Sequence, residues 1–215
     1  MNIGVLGTGM VGNAIGTKLV KLGHSVKMGS RSASNDKAAA WVKANGGNAS
    51  QGTFADAAAF GEILFNCTSG MASLAALKLA GAANLNGKIL ADISNPLDFS
   101  KGMPPSLSVC NTDSLGEQIQ REFPQVKVVK TLNTTNCNIM VNPALIAGDH
   151  DMFMCGNDAG AKSKVSEILE SWFGWKTVID LGDITGARGM EMILPMWVRL
   201  MVTFQHPNFN FRIVR

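Results

Sequence analysis

Asn2-Ile3-Gly4-Val5-Leu6-Gly7-Thr8-Gly9-Met10-Val11-Gly12 is the stretch that decides the fold. Its first five residues are an apolar run of strand length, and the next six fit the pattern G-x-G-x-x-G. Ala14 to Leu22 follows as a helical segment with Ile15, Leu19 and Leu22 on one stripe. Gly23 ends that segment, and Ser25-Val26-Lys27-Met28 reads as a second strand. Strand, glycine turn, helix and strand in this order frame a dinucleotide-binding βαβ unit. Gly7 allows the tight turn, Gly9 admits a pyrophosphate to the backbone, and Gly12 lets helix and strand pack closely. Thr8, Met10 and Val11 complete the loop, whose N–H groups at the helix start point at the phosphates with the helix dipole behind them.

The tip of the second strand selects the cofactor. An NAD site places Asp or Glu about 20 residues beyond the glycines, on the ribose 2′-hydroxyl. Here the chain reads Met28-Gly29-Ser30-Arg31-Ser32, with no acid. Ser30 and Ser32 offer hydroxyls, Arg31 offers a planar cation suited to a phosphate, and Lys37 lies a helical turn further on. This is a 2′-phosphate site, so the expected cofactor is NADP(H).

Outside this unit, composition mainly excludes. The chain has 215 residues, is 46% apolar and carries a formal charge of +3 with no Lys/Arg run, which argues against nucleic acid and acidic membranes as partners. The most apolar late stretch, Met192 to Phe204, is broken by Arg199 and too short to span a bilayer. Met1 leads directly into a strand, leaving no room for a signal peptide. Cys67, Cys110, Cys137 and Cys155 lie far apart with no metal spacing, as expected for free thiols in a reducing compartment. A cytoplasmic protein is the expectation.

Further along, apolar strand runs alternate with helical patterns. Ile63 to Cys67 is a strand that ends in Thr68-Ser69-Gly70. Lys88 to Asp92 is another, with Ser94-Asn95-Pro96-Leu97 at its tip, followed by a loop over Phe99 to Ser108. A sixth strand, Val126 to Leu132, ends in Asn133-Thr134-Thr135-Asn136. Met152 to Cys155 and Thr177 to Leu181 are shorter strands. Ala159 to Phe173 is an amphipathic helix with Val165, Ile168, Leu169 and Trp172 on its apolar side. Arg188 to Thr203 is a helix that Pro195 kinks or divides. The pattern predicts an α/β fold with a doubly wound parallel sheet. Residues 1–125 form its nucleotide-binding domain, and 126–215 an extension that completes the sheet and the substrate side. Ligands of such sheets lie outside the carboxyl ends of the strands. The cofactor site therefore gathers Gly7–Gly12, Ser30–Ser32, Cys67, Thr68, Ser69, Asn95, Pro96 and Leu97, with Asn133 and Thr134 at its far rim.

With these residues in place, the chain resembles the deazaflavin (coenzyme F-420)-dependent NADP oxidoreductases and the related NADPH-binding domain of the six-transmembrane metalloreductases. The resemblance covers nearly the whole chain. It is strongest at Gly7–Gly12 with Gly29-Ser30-Arg31, and continues through Lys127–Asn133, Met154-Cys155-Gly156-Asn157-Asp158, Asp180–Asp183, Ala187-Arg188 and Glu191. It implies NADP(H) with its nicotinamide near Thr68 and Asn95–Leu97, and a deazaflavin or flavin-like ring stacked on it near Asn133. The phosphate loop is one residue shorter than the archaeal pattern. The segments Phe99–Pro105 and Phe209–Arg212 also depart from it, so the resemblance carries nucleotide binding further than it carries the second substrate.

The catalytic inventory is sparse. Carbonyl reduction needs a proton donor beside the hydride, usually Lys, His or Tyr. The chain has no tyrosine, and His24, His150 and His206 lie away from the predicted strand ends. Hydride exchange with a flavin-like ring asks mainly for alignment. The favoured reading is therefore hydride transfer between NADPH and a small-molecule electron acceptor of that kind. A small-carbonyl or imine dehydrogenase and a non-catalytic NADP(H) sensor are the alternatives, the former disfavoured because too few residues follow the sixth strand for a long helical domain. Cys67 is a redox thiol or, more simply, a buried one. Arg188 and Glu191, at i and i+3, contact substrate or pair with each other. Trp172 and Trp175 fit core packing, and Trp197 either packs or stacks on a ring. Met192, Ile193, Met196, Trp197 and Leu200 line the substrate or a homodimer interface, and a homodimer is expected.

Overall fold

The computed structural model describes all 215 residues. The chain begins with β1 (Asn2–Leu6), α1 (Met10–Lys21), β2 (Ser25–Ser30), α2 (Asp36–Asn45), β3 (Ala49–Thr53), α3 (Phe54–Phe60) and β4 (Ile63–Asn66). It continues with α4 (Gly70–Ala80), α5 (Ala82–Leu85), β5 (Ile89–Asp92), β6 (Leu97–Asp98), β7 (Ser106–Leu107) and α6 (Leu115–Glu122). The remainder is β8 (Lys127–Thr131), α7 (Cys137–Val141), β9 (Met152–Gly156), α8 (Ala159–Glu167), β10 (Val178–Asp180), α9 (Ala187–Met192) and α10 (Leu194–Phe204).

Eight strands form one sheet in the order β10-β9-β8-β5-β4-β1-β2-β3. Alternation along β1 shows how the sequence builds two layers. Ile3 and Val5 face one side, where they join Ile15 and Leu19 of α1, Trp41 of α2 and Val165 of α8. Leu6 faces the other side and joins Ala57 of α3, Leu77 of α4 and Ile119 of α6. A strand covered by helices on both faces has no solvent side, which is why these runs are apolar throughout.

β1 to β5 and β8 run parallel to one another, while β6 and β7 form a separate two-stranded sheet. Two expectations are corrected. β9 runs antiparallel to β8, with Lys130 opposite Cys155, so the sheet is mostly rather than wholly parallel. The connection explains this: α7 has five residues and rises only about 8 Å, too little to carry the chain back across the sheet. The segment expected to be a loop over Phe99 to Ser108 includes the end of a short antiparallel hairpin, with Leu97 opposite Leu107. The long helix from Ala159 widens into a π-helical stretch at Ile168–Phe173, keeping Ile168, Leu169 and Phe173 buried. As Pro195 requires, the final helical segment divides into α9 and α10.

An ion cluster joins β5, β8 and α9 beneath the sheet's carboxyl edge. Lys130 of β8 is fully buried, and its ammonium donates to Asp92 at the end of β5 and to Glu191 of α9, each at 2.9 Å. Asp92 also accepts from Asn66 Nδ2 and Ser94 Oγ, both at 2.7 Å. Glu191 accepts the Leu115 N–H at 2.8 Å and the Gly116 N–H at 3.0 Å, so it caps the amino end of α6 across the chain. Burial alone would lower the Lys130 pKa, but the two carboxylates outweigh it and raise the value, keeping the ammonium charged. Removing one partner of such a group leaves an uncompensated buried charge. Lys130→Met is therefore expected to lower unfolding stability by about 3–5 kcal/mol, read as a shifted urea midpoint.

Candidate functional site

The loop after β1 holds the glycine motif in the geometry a pyrophosphate needs. Gly7 adopts φ +119°, a conformation open to glycine. A side chain at Gly12 would overlap the Gly7 carbonyl, so this close packing sets the start of α1 against β1. A side chain at Gly9 would meet nothing within 4 Å, which means the space outside the loop is free for a ligand. Gly9 is the N-cap of α1, no side chain caps the helix, and its first turn carries no acid. The N–H groups of Met10, Val11 and Gly12 thus face open space with the positive end of the helix behind them, and the residues present fit a dinucleotide phosphate.

At the neighbouring tip of β2, Ser30 is buried and its hydroxyl donates to the Ser32 carbonyl at 2.5 Å, shaping the turn from within. Ser32 Oγ lies 3.0 Å from Ser34 Oγ on the surface. Arg31 and Lys37 are exposed, and neither forms an ion pair, so two cations stand unneutralised beside the loop. No acidic side chain occupies the strand tip, which suits a 2′-phosphate and disfavours a bare 2′-hydroxyl.

The ends of β4, β5 and β8 meet beyond the glycine loop. Thr68 Oγ1 donates to Asn66 Oδ1 at 2.7 Å, and Ser69 is exposed at the start of α4. Asn95 and Asn133 are locked together: Asn95 Nδ2 donates to the Asn133 carbonyl and Asn133 Nδ2 to Asn95 Oδ1, both at 2.9 Å. Asn133 Nδ2 also donates to the Met190 carbonyl at 2.8 Å, which ties this edge to α9. Asn133 is therefore in direct contact with the Asn95 loop rather than at a distant rim. Pro96 is buried and Leu97 half-buried in the hairpin. Asn133 Oδ1 and Thr134 Oγ1 are buried without a protein partner, so this edge retains unused hydrogen-bonding capacity.

Other sequence candidates fall elsewhere. Cys67 is buried, and burial together with the nearby Asp92 charge pushes its thiol far above the ordinary range, as expected of a packing residue rather than a redox thiol. Arg188 and Glu191 do not pair with each other. Arg188 Nη2 binds Glu117 at 2.6 Å, while Glu191 turns inward to Lys130. The helical spacing misled here because α9 lies between two partners, α6 at the surface and β8 inside. Trp175 is buried, and Trp172 packs against His24 in a tilted arrangement with ring centroids 4.3 Å apart. Trp197 stacks on Phe209 of the tail at 5.3 Å. His150 is held between the Pro143 carbonyl and Asn210, remote from the strand ends.

The Asp92–Lys130–Glu191 cluster escaped the sequence reading. Its signal was Lys130 itself, a charge inside the apolar run Val128-Val129-Lys130-Thr131-Leu132. The ammonium also donates to the Ser94 carbonyl. With all three contacts made and no exposure, it is closed to substrate as a proton donor. A cavity of about 1080 Å³ runs along α1 between α2 and α7; it meets the phosphate loop at Thr8, Gly9 and Met10 and includes Lys37.

Residues 2–96 match the family model described as NADP oxidoreductase, coenzyme F420-dependent. The crystal structure of a candidate F420-dependent NADP reductase from Arthrobacter sp. FB24 is 52% identical, with a TM-score of 0.95 and full coverage of both chains. The metalloreductase STEAP3 of Rattus norvegicus is 31% identical over 222 aligned positions, covering 96% of this chain and 41% of that protein. An imine reductase from Myxococcus stipitatus in complex with NADP+ is 17% identical, with a TM-score of 0.68 over 95% of this chain and 64% of that one, a likeness of fold alone. No helix is long and apolar enough to cross a membrane. The chain belongs to the coenzyme F420-dependent NADP oxidoreductase family.

Proposed function

We infer that the protein transfers a hydride between NADPH and a deazaflavin or flavin-like acceptor. The observation that carries this reading is a carboxyl edge that offers donors and shape but no accessible acid or base. Thr68, Asn95 and Asn133 are neutral, and the one lysine beneath them is sealed by its three contacts. When bound, NADPH supplies the hydride. The protein's part is to place the rings. Uncapped N–H groups at Met10 to Gly12 hold the pyrophosphate, and Arg31, Ser32 and Lys37 take the 2′-phosphate. Thr68 and the Asn95–Asn133 pair set the plane against which the nicotinamide lies. A pre-set plane of this kind contributes through orientation rather than proton transfer. The resemblance and the membership of the F420-dependent family favour a deazaflavin over an imine, whose reduction would need a proton donor at the same edge. The reading includes a cytoplasmic homodimer joined through α10, where Met196, Val202 and Phe204 are exposed.

Two measurements test this reading. Calorimetric titration is expected to give tighter binding of NADPH than of NADH. Arg31→Ala is expected to weaken NADPH about 10- to 100-fold, the scale of a lost charged hydrogen bond, while leaving NADH unchanged. Equal affinities in the wild type would remove the 2′-phosphate site. In stopped-flow mixing at high enzyme concentration, NADPH is expected to bleach oxidised deazaflavin in a single turnover. An unchanged absorbance would eliminate that acceptor.

A further inference from the structure

We propose that Lys130 is a positioning residue: by holding the Ser94 carbonyl from below, it fixes the Asn95–Asn133 pair and hence the plane on which the nicotinamide ring lies. The proposal rests on the reading of that pair as the nicotinamide end of the site. Ser94 directly precedes Asn95 and is held from two sides. Asp92 accepts from its hydroxyl at 2.7 Å and from its N–H at 3.3 Å, and Lys130 donates to its carbonyl. Lys130 and Asp92 thereby set the backbone from which Asn95 reaches Asn133. The buried ammonium has three N–H donors to satisfy, and the carboxylates of Asp92 and Glu191 take two of them. The third contact, to a main-chain carbonyl one residue from the site, is what gives it a second role.

The geometry predicts a separation of effects. The phosphate contacts at Gly9–Gly12 and Arg31 lie on other strand ends, so most of the dinucleotide's binding energy is independent of Lys130. Loss of its ammonium leaves the nucleotide bound but the ring unheld. Emission from the reduced nicotinamide of bound NADPH reports ring immobilisation without any acceptor, whereas calorimetry reports affinity.

Two charge-balanced variants remove the ammonium with one carboxylate. Lys130→Met with Asp92→Asn leaves Glu191 held by the Leu115 and Gly116 N–H groups. Lys130→Met with Glu191→Gln leaves Asp92 held by Asn66 and Ser94. Either variant, once circular dichroism shows it folded, serves the test. Arg188→Ala is the control, because it loosens α9 from Glu117 at the surface without touching Lys130. The expected result is an NADPH Kd within about threefold of wild type in all proteins. The emission enhancement is lost in the double variants and retained in Arg188→Ala. Full enhancement in a folded double variant overturns the proposal, and so does equal loss in Arg188→Ala, which would trace the effect to general docking of α9. A wild type that binds NADPH tightly with no enhancement overturns the nicotinamide placement itself, a failure distinct from the other two.

Discussion

The close packing of Gly12 on the Gly7 carbonyl is the contact on which the functional edge depends. It fixes the entry of α1 against β1, so the uncapped first turn points outward at the carboxyl end of the sheet. A cap residue or an acid in that turn would satisfy the N–H groups from within and weaken the site for an anion. Here the protein leaves them free. Arg31 and Lys37, both without acidic partners, extend the same positive potential to the tip of β2.

The later part of the chain solves a different problem, bringing α9 over the edge of the sheet. β9 and β10 lengthen the sheet, but α9 has to be brought over its edge from a distant part of the chain. Glu191 does this by contacting both the α6 amino end and Lys130. A buried ion pair is poor value for stability compared with apolar packing, since desolvation offsets much of the attraction. Its worth lies in direction. An ammonium with three fixed acceptors defines the separation of β5, β8 and α9 more sharply than methyl groups do.

How much of this was legible in the sequence follows from the range of each determinant. The β1-α1-β2 unit was readable because strand, glycines and helix are local, and Arg31 was readable because its place at a strand tip is fixed by them. That Asn95 and Asn133 share one edge followed from topology, since parallel strands deliver their ends there, but their direct contact did not, because it depends on side-chain reach across the edge. The direction of β9 was not readable, because it depends on whether α7 spans the sheet. The partners of Lys130 were hidden for the same reason: Asp92 and Glu191 come from distant elements. Arg188 and Glu191 show the opposite error, where regular spacing on a helix suggested a pair that tertiary packing separates. The hairpin at Leu97 was masked by the glycine and prolines of its connecting segment.

The proposed reading is of a dinucleotide held by backbone at α1, selected by Arg31 and aligned at the Asn95–Asn133 pair. A crystal structure with NADP+ bound tests it most directly. The account predicts the pyrophosphate on the N–H groups of Met10 to Gly12, the 2′-phosphate within hydrogen-bonding distance of Arg31 and Ser32, and the nicotinamide against Thr68, Asn95 and Asn133. A dinucleotide lying instead along the groove between α1, α2 and α7, with its 2′-phosphate away from Arg31, would contradict it.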